Sequence, residues 1–366
     1  MHITRVLATP VRIPRKQVFT SSLGTDHAHE NAVVEIETDS GVTGIGEASS
    51  IWEGRGRGEA RVIDQLLAPR LVGKDPLRVR HLMQQLRALD GATPPALAGI
   101  EMALLDLLGR TLDVPVFDLL GGRVRDRVRL SHSLPMGEPR AIADQAEALA
   151  AAGYTTLKVK IGQDAVADLA TVTAVRQRLG SSFTLRVDAN MGWASPAIAI
   201  ENIRQLEALD LELVEQPLGK DERAGLHAIR EQVATPIMAD ESVWTPADAV
   251  ACIRANAVDI FNVYVSEAGG LFAASEIFAI GRAAGLRSMI GSMPEFGIGT
   301  VAQAHLAFAM EDLDIASDVN GVAYASDDIL MESLPIESGY YQHPPAGPGL
   351  GVTLDRNKLE KYRLPA

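Results

Sequence analysis

From Arg127 onward the chain repeats one short unit, and this repeat most narrows what it can fold into. Apolar, β-prone runs occur at Val128–Ser133, Thr156–Ile161, Thr184–Asn190, Leu211–Gln216, Ile237–Glu241, Ile260–Val265, Arg287–Gly291 and Leu313–Asp318. Alanine-rich amphipathic stretches fill the gaps, among them Ala141–Ala152, Asp168–Leu179, Pro196–Ala208 and Ala273–Ala284. The third opens with a helix-start signal, Ser195 as N-cap and Pro196 as first helical residue. Strands that alternate with helices must run parallel, joined by right-handed crossovers. Eight such units fit a closed (β/α) barrel better than an open sheet.

The first 125 residues have a different texture, read as α+β. Ala32–Thr38 alternates and is rich in Val and Ile, Asp39-Ser40-Gly41 is a turn signal, and Val42–Glu47 returns as a second strand. Helical spacing then takes over at Ile63, Leu66, Leu67 and Leu71 and at Leu97, Ile100, Leu104, Leu105 and Leu108, with a stop at Gly121-Gly122. The tail from Ala323 is loop-like, with turns at Pro344–Pro348, and is expected to pack back on the first domain. The expected division is therefore 1–125, 126–322 and 323–366.

Whole classes of function fall away on charge and cysteine. The formal net charge is −13, from 34 basic against 47 acidic residues, and no basic stripe offers itself to a nucleic acid or a membrane surface. The single cysteine, Cys252, excludes an internal disulfide framework and a thiolate metal cluster. No apolar run is long enough to span a bilayer, and the N-terminal residues lack a signal-peptide core, so a cytoplasmic location is expected.

In a parallel barrel the active site lies at the C-terminal ends of the strands. That is where the ionisable residues gather here: Lys158-Val159-Lys160, then Asp188-Ala189-Asn190, Glu215-Gln216-Pro217 and Asp240-Glu241-Ser242. A single carboxylate there is usually a helix cap or half of a loop ion pair. Three on consecutive strands repel one another unless a cation lies between them, and an all-oxygen ligand set favours a hard divalent ion such as Mg²⁺, with Mn²⁺ as the alternative. Lys158 and Lys160, two apart on a strand, share one face, expected to be the barrel interior opposite the acidic trio. Crowding two ammonium groups lowers a lysine pKa toward the range useful for a base.

These residues, taken in order, resemble the enolase superfamily, specifically its muconate-lactonizing-enzyme (muconate cycloisomerase) subgroup. The resemblance also takes in Ala103–Gly109, Pro115 and Leu119–Gly122 at the domain junction, Gly269-Gly270, Gly297-Ile298-Gly299-Thr300 and Gly347–Val352. It implies a modified (β/α)7β TIM barrel under an N-terminal α+β capping domain completed by the C-terminal tail. It further implies Asp188, Glu215 and Asp240 as metal ligands, Lys160 as the base, and Lys158 as the cation that tunes it. Glu241 would hold a lysine or metal ligand in place and Asn190 would orient a ligand or substrate. The chemistry known for that superfamily, abstraction of an α-proton from a small carboxylate with a metal-stabilised enediolate, would follow. Members commonly form homo-oligomers.

The chain departs from the pattern at one catalytic position. Where many members of the subgroup place a second lysine, the run Phe261–Gly270 carries Tyr264, with Glu267 as the other ionisable group nearby. The segment Arg287–Glu295 has no histidine to act in its place. One-face chemistry needing only Lys160 is therefore expected: a cycloisomerase, or a one-base lyase or dehydratase. The alternative is a racemase or epimerase of a dipeptide or amino-acid derivative that uses Lys160 and Tyr264; a noncatalytic binding barrel is a distant third. Glu295 is open between substrate contact and helix capping. Gly297–Thr300 imitates a dinucleotide fingerprint late in the chain and reads instead as a tight loop into a helix whose amides could meet a substrate carboxylate. The loops Arg15–Glu30 and Ser49–Glu59, with His27, His29, Trp52, Glu53, Arg55 and Arg57, are expected over the barrel mouth. Arg55 and Arg57 are open between a basic lid and a solvated loop.

Overall fold

The computed structural model describes residues 1–50, 55–313 and 315–365. Strands β1 (Ile3–Ser21), β2 (Gly24–Thr38) and β3 (Thr43–Ala48) form an antiparallel sheet in that order. The turn read at Asp39–Gly41 joins β2 to β3, with Gly41 at φ +80°. The long helix Pro94–Leu112 packs across this sheet, buried on nearly every face. The segment Arg15–Glu30 is no loop: β1 and β2 pair from Ile3↔Thr38 to Ser21↔Gly24, with register shifts after Ile3 and Pro14. Pro10, Pro14 and a run of basic residues hide β1 in the sequence, and the sheet tolerates the prolines because β1 is an edge strand.

The second body is a parallel sheet. After a short β4 (Val128–Arg129) come β5 (His132–Leu134), β6 (Thr156–Lys160), β7 (Thr184–Asp188), β8 (Val214–Glu215), β9 (Ile237–Ala239), β10 (Ile260–Val263) and β11 (Arg287–Ile290), hydrogen-bonded in sequence order from β5 to β11. The eighth predicted run closes the barrel, and its described residues form no regular strand. Ser317 exchanges backbone bonds with Ser131 and Arg129, each 3.0 Å, and Asp318 N donates to Ile290 O at 2.8 Å. Intervening helices match the predicted ones within a few residues, and Ser195 Oγ accepts from Ile198 N as expected of an N-cap.

One buried layer fixes which side chains reach the site. Leu213, Met238, Ile260, Met289 and Ile315 form an apolar cluster that plugs the barrel. Because strand side chains alternate, the residues two positions beyond the first four, namely Glu215, Asp240, Asn262 and Gly291, point the same way, toward the mouth.

The tail does not return to the first domain as one piece. Ala325 and Arg363 bridge to Arg15 and Val11 of β1, and Ser326 N donates to Pro14 O. Between these contacts, β12 (Ile336–Glu337) pairs with β13 (Tyr340–Tyr341), and β13 pairs with β4, at the N-terminal end of the barrel. Trp52, the expected neighbour of the tail at the mouth, lies outside the described residues. Among the described residues no helix is long and apolar enough to cross a membrane.

Candidate active site

A cavity of about 280 Å³ opens at the C-terminal ends of the barrel strands. Its floor includes Lys158, Lys160, Asn190, Asp240, Glu241, Tyr264 and Asp318. The hairpin tip forms much of its roof with Arg15, Phe19, Leu23 and Asp26, and Trp244 and Tyr324 stand in its walls. Ser22 pins the hairpin to the barrel, its Oγ donating to the carbonyls of Ala189 and Asn190 at 2.9 and 2.8 Å.

Strand register assembles the charged groups. Lys160 pairs across the sheet with Asp188, and Asp188 with Glu215. The lysines therefore stand beside the acidic residues, not opposite them. Lys158, with 3% of its side chain exposed, has its ammonium 2.8 Å from Asp318, 3.0 Å from Glu215 and 3.8 Å from Asp188. Lys160, 13% exposed, donates to Asp188 at 2.5 Å and to Asn190 Oδ1 at 2.8 Å.

Burial alone would lower the pKa of Lys158, but Asp318, Glu215 and Asp188 outweigh it and hold the pKa well above the ordinary lysine value. For Lys158 this is the opposite of the lowering that two crowded ammonium groups would give. Lys158 is a fixed cation.

The carboxylates do not share that satisfaction. Burial first, and the charge of Asp188 next, push Glu215 well above the ordinary carboxylate range. Burial and then Glu241 do the same to Asp240. Glu241 is raised to about 8, chiefly by burial and then by Asp188. One shared ammonium satisfies the cation without satisfying the anions around it. Asp188, Glu215 and Asp240 each offer an oxygen within 4.8 Å of the others. Asp240 Oδ1 and Glu241 Oε2 are buried without a hydrogen-bond donor. Hard oxygen donors, excess negative charge and orphaned lone pairs fit a divalent cation.

Asn190 links the two sides, accepting from Lys160 and donating weakly to Glu241 at 3.4 Å. Its φ of +41° lies in the left-handed region, which asparagine tolerates, whereas Met191 at +63° bears the steric cost of a Cβ there.

Tyr264 enters from β10, four strands from β6 and so across the barrel from Lys160. Its hydroxyl donates to Asp240 Oδ2 at 2.9 Å, and burial raises its pKa well above the ordinary value, with Asp240 adding to the rise. It is a neutral phenol. Glu267 is buried, and neither it nor Glu295 lines the cavity.

Glu295 does not line the cavity, and its carboxylate is held by side chains. With 1% exposure, it accepts from Ser292 Oγ at 2.5 Å and from Gln303 Nε2 at 2.7 Å, behind the wall formed by Ser292, Met293 and Pro294. The helix Gly297–Ala309 is capped by Glu47 of β3, which accepts from Phe296 N and Gly299 N at 2.7 Å each, and by Asp328, which accepts from Gly297 N at 2.7 Å. A Cβ on Gly297 would meet Asp328 Oδ2, and one on Gly299 would meet Glu295 at 2.7 Å. The glycines of the false fingerprint admit these carboxylates, so those amides are not open to a substrate.

Several site residues escaped the sequence reading. Asp318 ended the eighth run and the strand-end argument would have found it; Asn262 needed only the two-residue alternation from Ile260. Arg15, Phe19 and Asp26 lie in the segment expected over the mouth, but no local feature singled them out. Of the predicted lid, Arg57 lies in the helix Arg55–Val62 and does not line the cavity. Trp52 and Glu53 lie outside the described residues, as does the side chain of Arg55. His27 is exposed, and His29 is buried against Phe296. Among the described residues the cation in the roof is Arg15, paired with Asp26 at 2.6 Å.

Residues 3–121 match the family model described as mandelate racemase / muconate lactonizing enzyme, N-terminal domain, and residues 141–358 match the one described as enolase C-terminal domain-like. The L-Ala-D/L-Glu epimerase of Bacillus subtilis is 33% identical, with 96% of this chain and 97% of that protein covered. The muconate lactonizing enzyme of Pseudomonas fluorescens, solved with muconolactone, superposes with a TM-score of 0.95 at 31% identity over 99% of each chain. The dipeptide epimerase of Enterococcus faecalis, solved with Mg and the dipeptide L-Leu-L-Tyr, superposes at 0.91 with 32% identity, covering 96% of this chain and 100% of that one.

Proposed function

The chain belongs to the mandelate racemase/muconate lactonizing enzyme family of the enolase superfamily and is an enzyme, and on that premise we propose that it removes the α-proton of a small carboxylate from one face, with Lys160 as the base. The observation that carries this reading is the placement of Lys160 in the cavity beside a carboxylate trio that fits a divalent cation, with a neutral phenol across the barrel.

Asp188, Glu215 and Asp240 would hold Mg²⁺, or Mn²⁺. The ion would supply positive charge where the substrate carboxylate gains electron density. Lys158, held charged by three carboxylates, adds a second positive group at the same place. Lys160 takes the α-proton, and Asn190 and Asp188 fix its Nζ. The hairpin covers the reacting carbon and excludes water. Cycloisomerisation run in reverse, syn elimination and dehydration all need no more than this one base. The reading includes a homo-oligomer in the cytoplasm; light scattering tests the assembly.

A second reading has its own observation. Tyr264 lines the same cavity across from Lys160, and relatives include an epimerase. A proton delivered by Tyr264 would make the chain a racemase or epimerase. The deciding experiment screens muconates, dipeptides, N-acylated amino acids and acid sugars with Mg²⁺ in D₂O. One-base chemistry exchanges the α-proton of one stereoisomer only. Exchange from both enantiomers at similar rates would replace it with epimerisation.

A further inference from the structure

Two neutral side chains on β10 and its continuation reach the acidic trio, and Asn262 shares Glu215 Oε1 with Lys158, whose Nζ lies 3.3 Å from that oxygen. Asn262 Nδ2 donates to Glu215 Oε1 at 2.9 Å and to the Tyr264 hydroxyl at 3.0 Å. An amide nitrogen can only donate, so the hydroxyl accepts that bond and sends its single proton to Asp240 Oδ2 at 2.9 Å. The result is a directed chain of donors that starts on one amide and ends on two carboxylates. Both residues are buried, Asn262 completely.

The neighbouring strand is shaped around this pair. A Cβ on Gly291, just past the end of β11, would lie 2.4 Å from Tyr264 Cζ and 2.5 Å from Asn262 Oδ1. Only glycine admits the ring and the amide together. On the carboxylate side, Asp240 Oδ2 is committed to Tyr264, so its second oxygen, Oδ1, is left buried and without a donor. That oxygen is the one presented to a cation.

We propose that Asn262 and Tyr264 are metal-positioning residues: they fix the rotation of the Glu215 and Asp240 carboxylates so that one oxygen of each faces a common divalent ion. The inference rests on the metal reading of the trio proposed above. It gives Tyr264 a role that requires neither a second base nor a proton donor to substrate. Groups that orient metal-binding carboxylates typically alter metal affinity by about 10–100-fold when removed.

The test measures Mn²⁺ binding to the full chain by electron paramagnetic resonance, with no substrate present. Tyr264→Phe should raise the Mn²⁺ Kd by about 10-fold, and Asn262→Leu by about 10–100-fold, because the latter removes both links. Gly291→Ala, which keeps every donor but displaces the ring, should also weaken binding. Melting temperatures without metal are recorded in parallel, so a folded variant with weakened binding is separated from a damaged one. If Asn262→Leu does not fold, Tyr264→Phe and Gly291→Ala decide. Wild-type Kd in both of these, with binding lost in Asp188→Asn, overturns the positioning role and leaves the metal reading intact. A wild-type chain that binds no Mn²⁺ overturns both.

Discussion

Two groups of buried carboxylates occupy this molecule, and they are treated in opposite ways. At the junction between cap and barrel, Glu47 receives Asn31 and two helix amides. Glu101 receives Phe272 N and Arg87, each at 2.9 Å. Asp106 receives Ile45 N, Leu350 N and Arg110. Each of these acids is matched by fixed N–H groups, and several join segments far apart in the chain. At the barrel mouth, Asp240 and Glu241 keep buried oxygens that no donor reaches. Burial costs both groups a similar desolvation. The junction recovers part of it internally, through hydrogen bonds to fixed N–H groups, whereas the orphaned oxygens at the mouth are left to be met by something positive. Acidity and burial therefore do not identify a site; the missing donors do.

Substitutions should separate the two groups, most strongly at the mouth. Asp188→Asn should abolish turnover and the rise in melting temperature that Mg²⁺ gives the wild type, a rise corresponding to about 2.7 kcal/mol at one hundred times Kd. Scanning calorimetry with and without Mg²⁺ measures it, and full activity in thorough chelator would break the comparison. Lys160→Ala should lower α-proton exchange by roughly 10²–10⁴-fold, the usual loss for a general base, while Mg²⁺ still raises the melting temperature.

The junction should answer to pH instead of metal. Burial, only partly offset by the amides of Phe296 and Gly299 and by Asn31, raises Glu47 from 4.5 to about 7. A raised carboxylate pKa favours the folded state fully below 4.5, and that contribution is lost as pH climbs through about 7. Glu47→Gln should flatten the fall in stability across this window while leaving Mg²⁺ stabilisation in place. A denaturant series from pH 4 to 8 measures the slope. The smallest expected effect is that of Tyr264→Phe on proton exchange at saturating Mg²⁺, far below that of Lys160→Ala. A loss as large as the lysine's would move Tyr264 from the metal to the reacting carbon.

The sequence was most informative where the physics is local. The strand runs, the helix start at Ser195 and the strand-end residues Lys160, Asp188, Glu215 and Asp240 follow from periodicity over a few residues, and period-two alternation carries Glu215 and Asp240 from the apolar plug to the mouth. It was least informative where a partner comes from afar. The pairing of Lys158 with Asp318 spans 160 residues, and the capping of the helix at Gly299 by Glu47 spans 252. Burial does not distinguish Glu47 from Glu241, since both end buried. Which acid meets an amide, and which is left facing an open lone pair, depends on where the cap's sheet and the hairpin come to rest against the barrel. Only tertiary packing fixes that, because a hydrogen bond is decided by distances of a few tenths of an ångström between groups that the chain order leaves unrelated.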